Sequence, residues 1–174
     1  MEVWMKVENA KNITKGNVIW SINPVLRSVL DCIYFGYFGE YTLSPPEPWD
    51  DENMNKKYLR EYYVKVRGER ERTGEFVVEE ITSGIKSLIN KLIGRKPVKI
   101  EGRASFDEDY LQWDDVGKFL DSLMPDLING RHRDEEVTVE HPLRLRREDR
   151  IVKYRVKVKP SMVGGEIEIR RKGN

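Results

Sequence analysis

Between Ile151 and Pro160 apolar and charged residues alternate without a break, with Val152, Tyr154, Val156 and Val158 separated by Lys153, Arg155, Lys157 and Lys159. A period of two sends successive side chains to opposite sides of an extended chain and cannot form one face of a helix. The segment is therefore a strand with one dry face and one wet face, and such a strand needs neighbours. Both flanks supply them. Val137, Val139, His141, Leu143 and Leu145 fall on one side of a preceding strand, with Thr138, Glu140, Arg144 and Arg146 on the other. After a turn at Arg147 to Arg150 and the strand itself, Gly164-Gly165 leads into Ile167 and Ile169, which alternate with Glu166, Glu168 and Arg170. The pattern predicts a three-stranded antiparallel meander whose apolar face requires cover.

The rest of the chain provides further strands and the helices to cover them. Val3, Met5 and Val7 alternate with polar neighbours, and Val18, Trp20 and Ile22 repeat the pattern after a Lys15-Gly16-Asn17 turn, which predicts a hairpin or meander. Asn23-Pro24 is a helix start, and the helix predicted from Pro24 to Phe38 is apolar around nearly its whole circumference, ending at Gly39. Pro45, Pro46 and Pro48 impose an extended loop, and Asp50 is placed to cap a short helix from about Asp51 to Arg60. Tyr62 to Arg67 and Glu75 to Glu80 flank a charged, glycine-bounded hairpin tip expected to be mobile. Ile81, Ile85, Leu88, Ile89 and Leu92 describe an amphipathic helix ending at Gly94, and Lys96-Pro97 launches a strand through Val98 and Ile100. Ser105 and Glu108 form a capping-box pattern before a helix, or broken pair of helices, over Phe106 to Leu123, with Pro125 and Gly130 marking its end. The expectation is an α+β chain of antiparallel-rich sheet, about eight strands and three or four helices, in a single compact domain over residues 1–174.

Composition narrows the function. The 174 residues carry 31 Lys+Arg against 30 Asp+Glu, so any electrostatic role must be local. The lone Cys32 excludes an internal disulfide and a zinc site built on paired thiolates. Glu2, Lys6 and Glu8 interrupt the amino terminus, and Arg27 and Asp31 interrupt the most apolar stretch, so a cytoplasmic protein with no membrane segment is expected. The Asn12-Ile13-Thr14 sequon carries no weight in that compartment. A single glutamine among abundant Lys, Arg and Glu suits a thermophilic source.

Residues 131–174 hold thirteen basic and eight acidic positions, the one clear asymmetry between thirds of the chain. Lys153, Arg155, Lys157 and Lys159 would stand in a row about 6.6 Å apart, and with Arg144 and Arg146 they form a candidate surface for DNA or RNA phosphates. The competing reading is a solvated sheet face on which Glu166 and Glu168 oppose the lysines. Nine of the seventeen aromatic residues lie between Tyr34 and Tyr63, and Tyr41 and Trp49, which bracket the prolines, are the candidate partner surface for a homo-oligomer. Two acidic strings, Trp49-Asp50-Asp51-Glu52 and Trp113-Asp114-Asp115, have the residue types of a magnesium-dependent nuclease, but their position at helix starts explains them without a metal. His132 and His141 have no nucleophile beside them in sequence, and Gly164-Gly165 lacks the rest of a phosphate cradle. No cofactor or metal and no enzymatic reaction is assigned. The leading expectation is a non-enzymatic nucleic-acid-binding or assembly protein using the basic outer face of the meander. Self-association and a metal-dependent nuclease are the alternatives.

Overall fold

Eight strands pair into one antiparallel sheet in the computed structural model, which describes residues 1–13, 18–44, 61–81, 84–108, 111–144, 146 and 150–173. They are β1 (Glu2–Glu8), β2 (Gly39–Leu43), β3 (Glu61–Arg70), β4 (Thr73–Ile81), β5 (Lys99–Ser105), β6 (Arg133–Glu140), β7 (Ile151–Pro160) and β8 (Gly164–Arg171), in the spatial order β2-β3-β4-β5-β1-β8-β7-β6. Two runs of sequential neighbours, β2 to β5 and β6 to β8, are thus stitched together by β1. Val3 of β1 lies opposite Ala104 of β5 and Ile169 of β8, and Met5, Val7, Ile100 and Ile167 fall on the same face, leaving Trp4 on the other. The expected meander is present as β6, β7 and β8.

That dry face is covered by α1 (Asn23–Phe35), which packs on β3 and β4, and α3 (Leu111–Ile128), which packs on β7 and β8 and touches α1. Val29, Leu30 and Ile33 of α1 and Leu120, Leu123 and Met124 of α3 are closed to solvent between helices and sheet. A third helix, α2 (Gly84–Leu92), follows β4. Among the described residues no helix is long and apolar enough to cross a membrane.

Several sequence expectations are corrected. Val18–Ile22 is not a strand but a turn of π-helix running into α1. Val18 and Ile22 are buried four residues apart, a helical spacing that a five-residue alternation cannot exclude, and both edges of β1 are already filled by β5 and β8. Helix α1 stops at Gly36 rather than Gly39, because Gly36 takes φ 75° and its N–H bonds back to Cys32 and Ile33. Ser105 ends β5 instead of capping a helix. Helix α3 starts later and runs on through Pro125, because Leu127, buried against Gly165, lies one turn further. Strand β6 ends at Glu140, since Pro142 has no N–H to continue the ladder. His141 N–H makes a last bond to Arg150, Arg144 N–H closes a turn on His141, and Leu143 is 96% exposed.

The β3–β4 tip is shorter than expected and pinned. Strand pairing reaches Arg70 and Thr73, so only Glu71 and Arg72 turn. Arg72 N–H bonds to the carbonyl of Ile33 at 2.8 Å, and its own carbonyl accepts from Phe106 N–H at 2.7 Å. The expected helix at 51–60, the proline loop, the 15–17 turn and Leu145 lie outside the described residues.

Candidate nucleic-acid interface

Among the described residues no helix packs on the second face of the sheet, and period two fills it with charge. Register turns the alternation along strands into alternation across them. Lys159 lies beside Glu166, Glu166 beside Lys6, and Lys6 beside Glu101. Asp134, Lys157, Glu168, Trp4, Arg103, Glu75 and Arg67 form the next row. Opposite charges in adjacent positions attract and limit the long-range field of the face.

Lys153, Arg155, Lys157 and Lys159 do project from this face in one line along β7, with Lys157 half-buried and the others exposed. Arg155 is committed. Its guanidinium donates to both carboxylate oxygens of Asp134, at 2.9 and 3.1 Å. That bond holds the Asp134 carboxyl below its ordinary pKa against a smaller opposing effect of burial, and the charges of Arg155, Lys157 and Lys159 add to the lowering. Arg170, directly opposite Arg155 in register, takes Glu2 at 3.0 Å and Glu168 at 3.3 Å instead. Lys172 pairs with Glu136. Glu166 and Glu168 stand opposite Lys159 and Lys157, yet neither lysine comes within 4 Å of a carboxylate among the described residues. Arg144 and Arg146 leave the row: they lie in the loop after β6, where the carbonyl of Arg144 accepts from Arg150 Nε.

A different constellation occupies the centre of the face. An open depression of about 720 Å³ is bounded by three arginines, Arg67, Arg70 and Arg103, and three glutamates, Glu2, Glu69 and Glu75. A second, of about 570 Å³, shares Arg67, Glu75 and Arg103 with it and reaches Trp4. Trp4 and Arg103 are directly opposed across β1 and β5, and the guanidinium carbon sits 4.9 Å from the indole ring centre. Among the described residues neither Arg67, Arg70 nor Arg103 is within ion-pair distance of a carboxylate. These residues were not singled out from sequence, because β1, β3 and β5 become neighbours only through the sheet order.

The aromatic candidates separate. Tyr41 is on β2, partly buried against the core, with its hydroxyl donating to the carbonyl of Tyr37 at 3.1 Å. Trp49 lies outside the described residues. The second acidic string is divided between roles: Asp114 pairs with Lys118 at 2.7 Å one turn along α3, while Asp115 is buried and accepts from Tyr154. Among the described residues no cluster of three His, Cys, Asp or Glu side chains is arranged to hold a metal ion.

Comparison with protein-family models, curated proteins and solved structures finds no match for this chain, so its geometry alone carries the functional reading.

Proposed function

We propose that the protein binds single-stranded nucleic acid on the open face of its sheet, with Arg67, Arg70 and Arg103 meeting phosphates and Trp4 offering a ring for a base to stack on. The observation that carries the reading is a contrast among arginines. Arg155 and Arg170, on the same face, are held in ion pairs, whereas Arg67, Arg70 and Arg103 line a depression together with Glu2, Glu69 and Glu75 and, among the described residues, make no ion pair with a carboxylate. Planar guanidinium groups match phosphate in two-point contact, and an aromatic ring contributes about 1–3 kcal/mol per stacked base without sequence preference. Lys153, Lys157 and Lys159 extend the cationic path along β7, two strands away from Trp4.

Fluorescence anisotropy with labelled oligo-dT and oligo-rU at two salt concentrations tests this. Affinity falling with salt is expected, with each phosphate contact contributing about 0.7 to the log–log slope. Arg103→Gln should weaken binding about tenfold and lower that slope, and Lys153→Gln with Lys157→Gln and Lys159→Gln measures the contribution of the row. No binding at low salt, or arginine variants that bind like the wild type, would remove the reading.

A further inference from the structure

Helix α2 sits in the fold with its polar side inward. Ser87 and Asn90, three residues apart, are half-buried, while Leu88, Ile89, Leu92 and Ile93 form an exposed aliphatic stripe, Leu92 at 86%. Ile93 belongs to the stripe because its N–H still bonds to the carbonyl of Ile89, at 3.0 Å, before Gly94 turns the chain at φ 71°. Amphipathic periodicity normally marks the side of a helix that packs on its own core. Here the described body leaves that side to water.

A second aliphatic projection stands at the same end of the sheet. Met162 is 88% exposed in the turn between β7 and β8, and the exposed Val163 follows it. Glu8, the last residue of β1, pairs with Lys99 at the start of β5 and with Gly164 at the start of β8. The segment running from α2 into β5 and the β7–β8 turn therefore flank the end of one strand, about 10 Å apart. A short 3-10 turn, Ala10–Asn12, fastens both: the side-chain amides of Asn9 and Asn12 donate to the carbonyls of Pro97 and Lys96 at 2.8 and 2.7 Å, and Ala10 N–H donates to the carbonyl of Val163 at 3.2 Å.

Around these projections the chain is basic. Residues 9–12, 91–97 and 160–163 hold Lys11, Lys91, Arg95 and Lys96 and no carboxylate. Arg95 is engaged by Glu80 at 3.0 Å, whereas Lys11, Lys91 and Lys96 are exposed and, among the described residues, none comes within 4 Å of a carboxylate. On the neighbouring strand ends Glu79 is paired with Lys99 at 3.7 Å, and alternation along β1, β3 and β8 turns Glu8, Glu61 and Glu166 onto the open face of the sheet.

We propose that this end of the molecule docks on a membrane surface of anionic phospholipid, with the α2 stripe and the Met162-Val163 turn entering the headgroup region and Lys11, Lys91 and Lys96 meeting lipid phosphates. Two aliphatic projections on different elements fit a soft apolar phase beneath a negatively charged layer, whereas a folded partner would need a surface shaped to both. Lysine stems lie along apolar surface while their ammonium groups stay at the charged layer. Elements of this kind lie in the interface, about 5–10 Å deep, and do not span it.

Co-sedimentation tests this with vesicles of phosphatidylcholine alone and of phosphatidylcholine with phosphatidylserine, each at two salt concentrations. The wild type should pellet with the anionic vesicles, less so at high salt, and stay in solution with the neutral ones. Leu92→Asp and Met162→Asp should each weaken binding about tenfold, because each puts a carboxylate among the inserted groups. Lys11→Gln, Lys91→Gln and Lys96→Gln together should weaken it about fivefold per lysine and flatten the salt dependence. All of these positions are exposed, and circular dichroism confirms the fold of each variant. No vesicle binding, equal binding to neutral and anionic vesicles, or binding that Met162→Asp leaves unchanged would overturn the proposal. So would a lipid-free wild type whose mass rises with concentration and falls back in Leu92→Asp, since the stripe would then belong to a second copy. None of these substitutions touches Arg67, Arg103 or Trp4, so the nucleic-acid reading stands or falls separately.

Discussion

Tyr154 donates its hydroxyl hydrogen to Asp115 Oδ2 across 2.5 Å, joining the middle strand of the meander to the second turn of α3 where water does not reach. His141 Nε2 lies 3.0 Å from the same oxygen, so one carboxylate ties α3 to two points of the β6–β7 region. Asp115 Oδ1 is buried with no hydrogen-bond partner. The group therefore depends on the donors at Oδ2, and removing one is costly. Tyr154→Phe should lose roughly 2 kcal/mol, in the range for leaving a buried acceptor short of its donor. Asp115→Leu alone takes this acceptor away from the phenol. The double variant should cost less than the sum of the two single ones, because the Tyr154–Asp115 bond is then lost once rather than counted twice, while His141 Nε2 loses the same acceptor with or without Tyr154→Phe. Urea titrations of the three variants measure the coupling, and additive losses would show that the contact contributes nothing of its own.

A backbone approach sets the second prediction. A Cβ built on Gly102 would lie 2.3 Å from the carbonyl oxygen of Trp4 and 2.7 Å from Phe76 Cζ. The ring of Phe76 thus fills the space that a side chain on β5 would occupy. Gly102→Ala must push β1 and β5 apart or displace that ring in the middle of the sheet, where no edge exists to absorb the shift. A loss of about 2–4 kcal/mol is expected, read as a lower urea midpoint. A variant as stable as the wild type would mean that β1 and β5 can separate without penalty.

Cys32 gives a prediction in pH. Burial raises its thiol pKa above the ordinary value of 9.0, and the neighbouring Asp31 charge raises it further. Both effects disfavour the thiolate, which is the reactive form. Alkylation by iodoacetamide in the folded protein should therefore be slow at pH 8 and still accelerating above pH 9. Asp31→Asn removes only the second cause, so it should speed the reaction moderately without restoring the rate of a free thiol. Mass spectrometry of timed quenches reads both. A rate that levels off below pH 9, or one unchanged by Asp31→Asn, would contradict the assignment of causes.

What was legible in the sequence was what depends on near neighbours. The alternation from Val152 to Lys159 defined β7 and its two faces, and Asn23-Pro24 marked the start of α1. Pairing between distant segments was not legible. Glu166 and Glu168 were the natural candidates to neutralise the β7 cations, and register does place them opposite Lys159 and Lys157, but the carboxylate that captures Arg155 is Asp134 on the other neighbouring strand. Trp4 and Arg103 are ninety-nine positions apart in the chain and meet only because β1 enters the sheet beside β5. The shape of the α2 sequence identified a helix and an apolar stripe, yet nothing in its period says whether that stripe meets the chain's own core.

The last prediction concerns the residue between the two central arginines. Glu75 lies opposite Arg103 on one side and opposite Arg67 on the other, and it lines both depressions, without coming into ion-pair distance of either guanidinium. Its charge lowers the local positive potential and would repel an incoming phosphate, while its contribution to stability is small, since exposed charges outside close pairs contribute little. If phosphates meet Arg67 and Arg103 here, Glu75→Gln should leave the urea midpoint almost unchanged and tighten oligonucleotide binding several-fold at low salt. The gain should shrink as salt screens the removed repulsion. Glu101→Gln, on the same face but outside the larger depression, is the control and should gain less. Equal gains for the two variants would mean that only net charge matters, and no gain from Glu75→Gln would place the nucleic acid elsewhere.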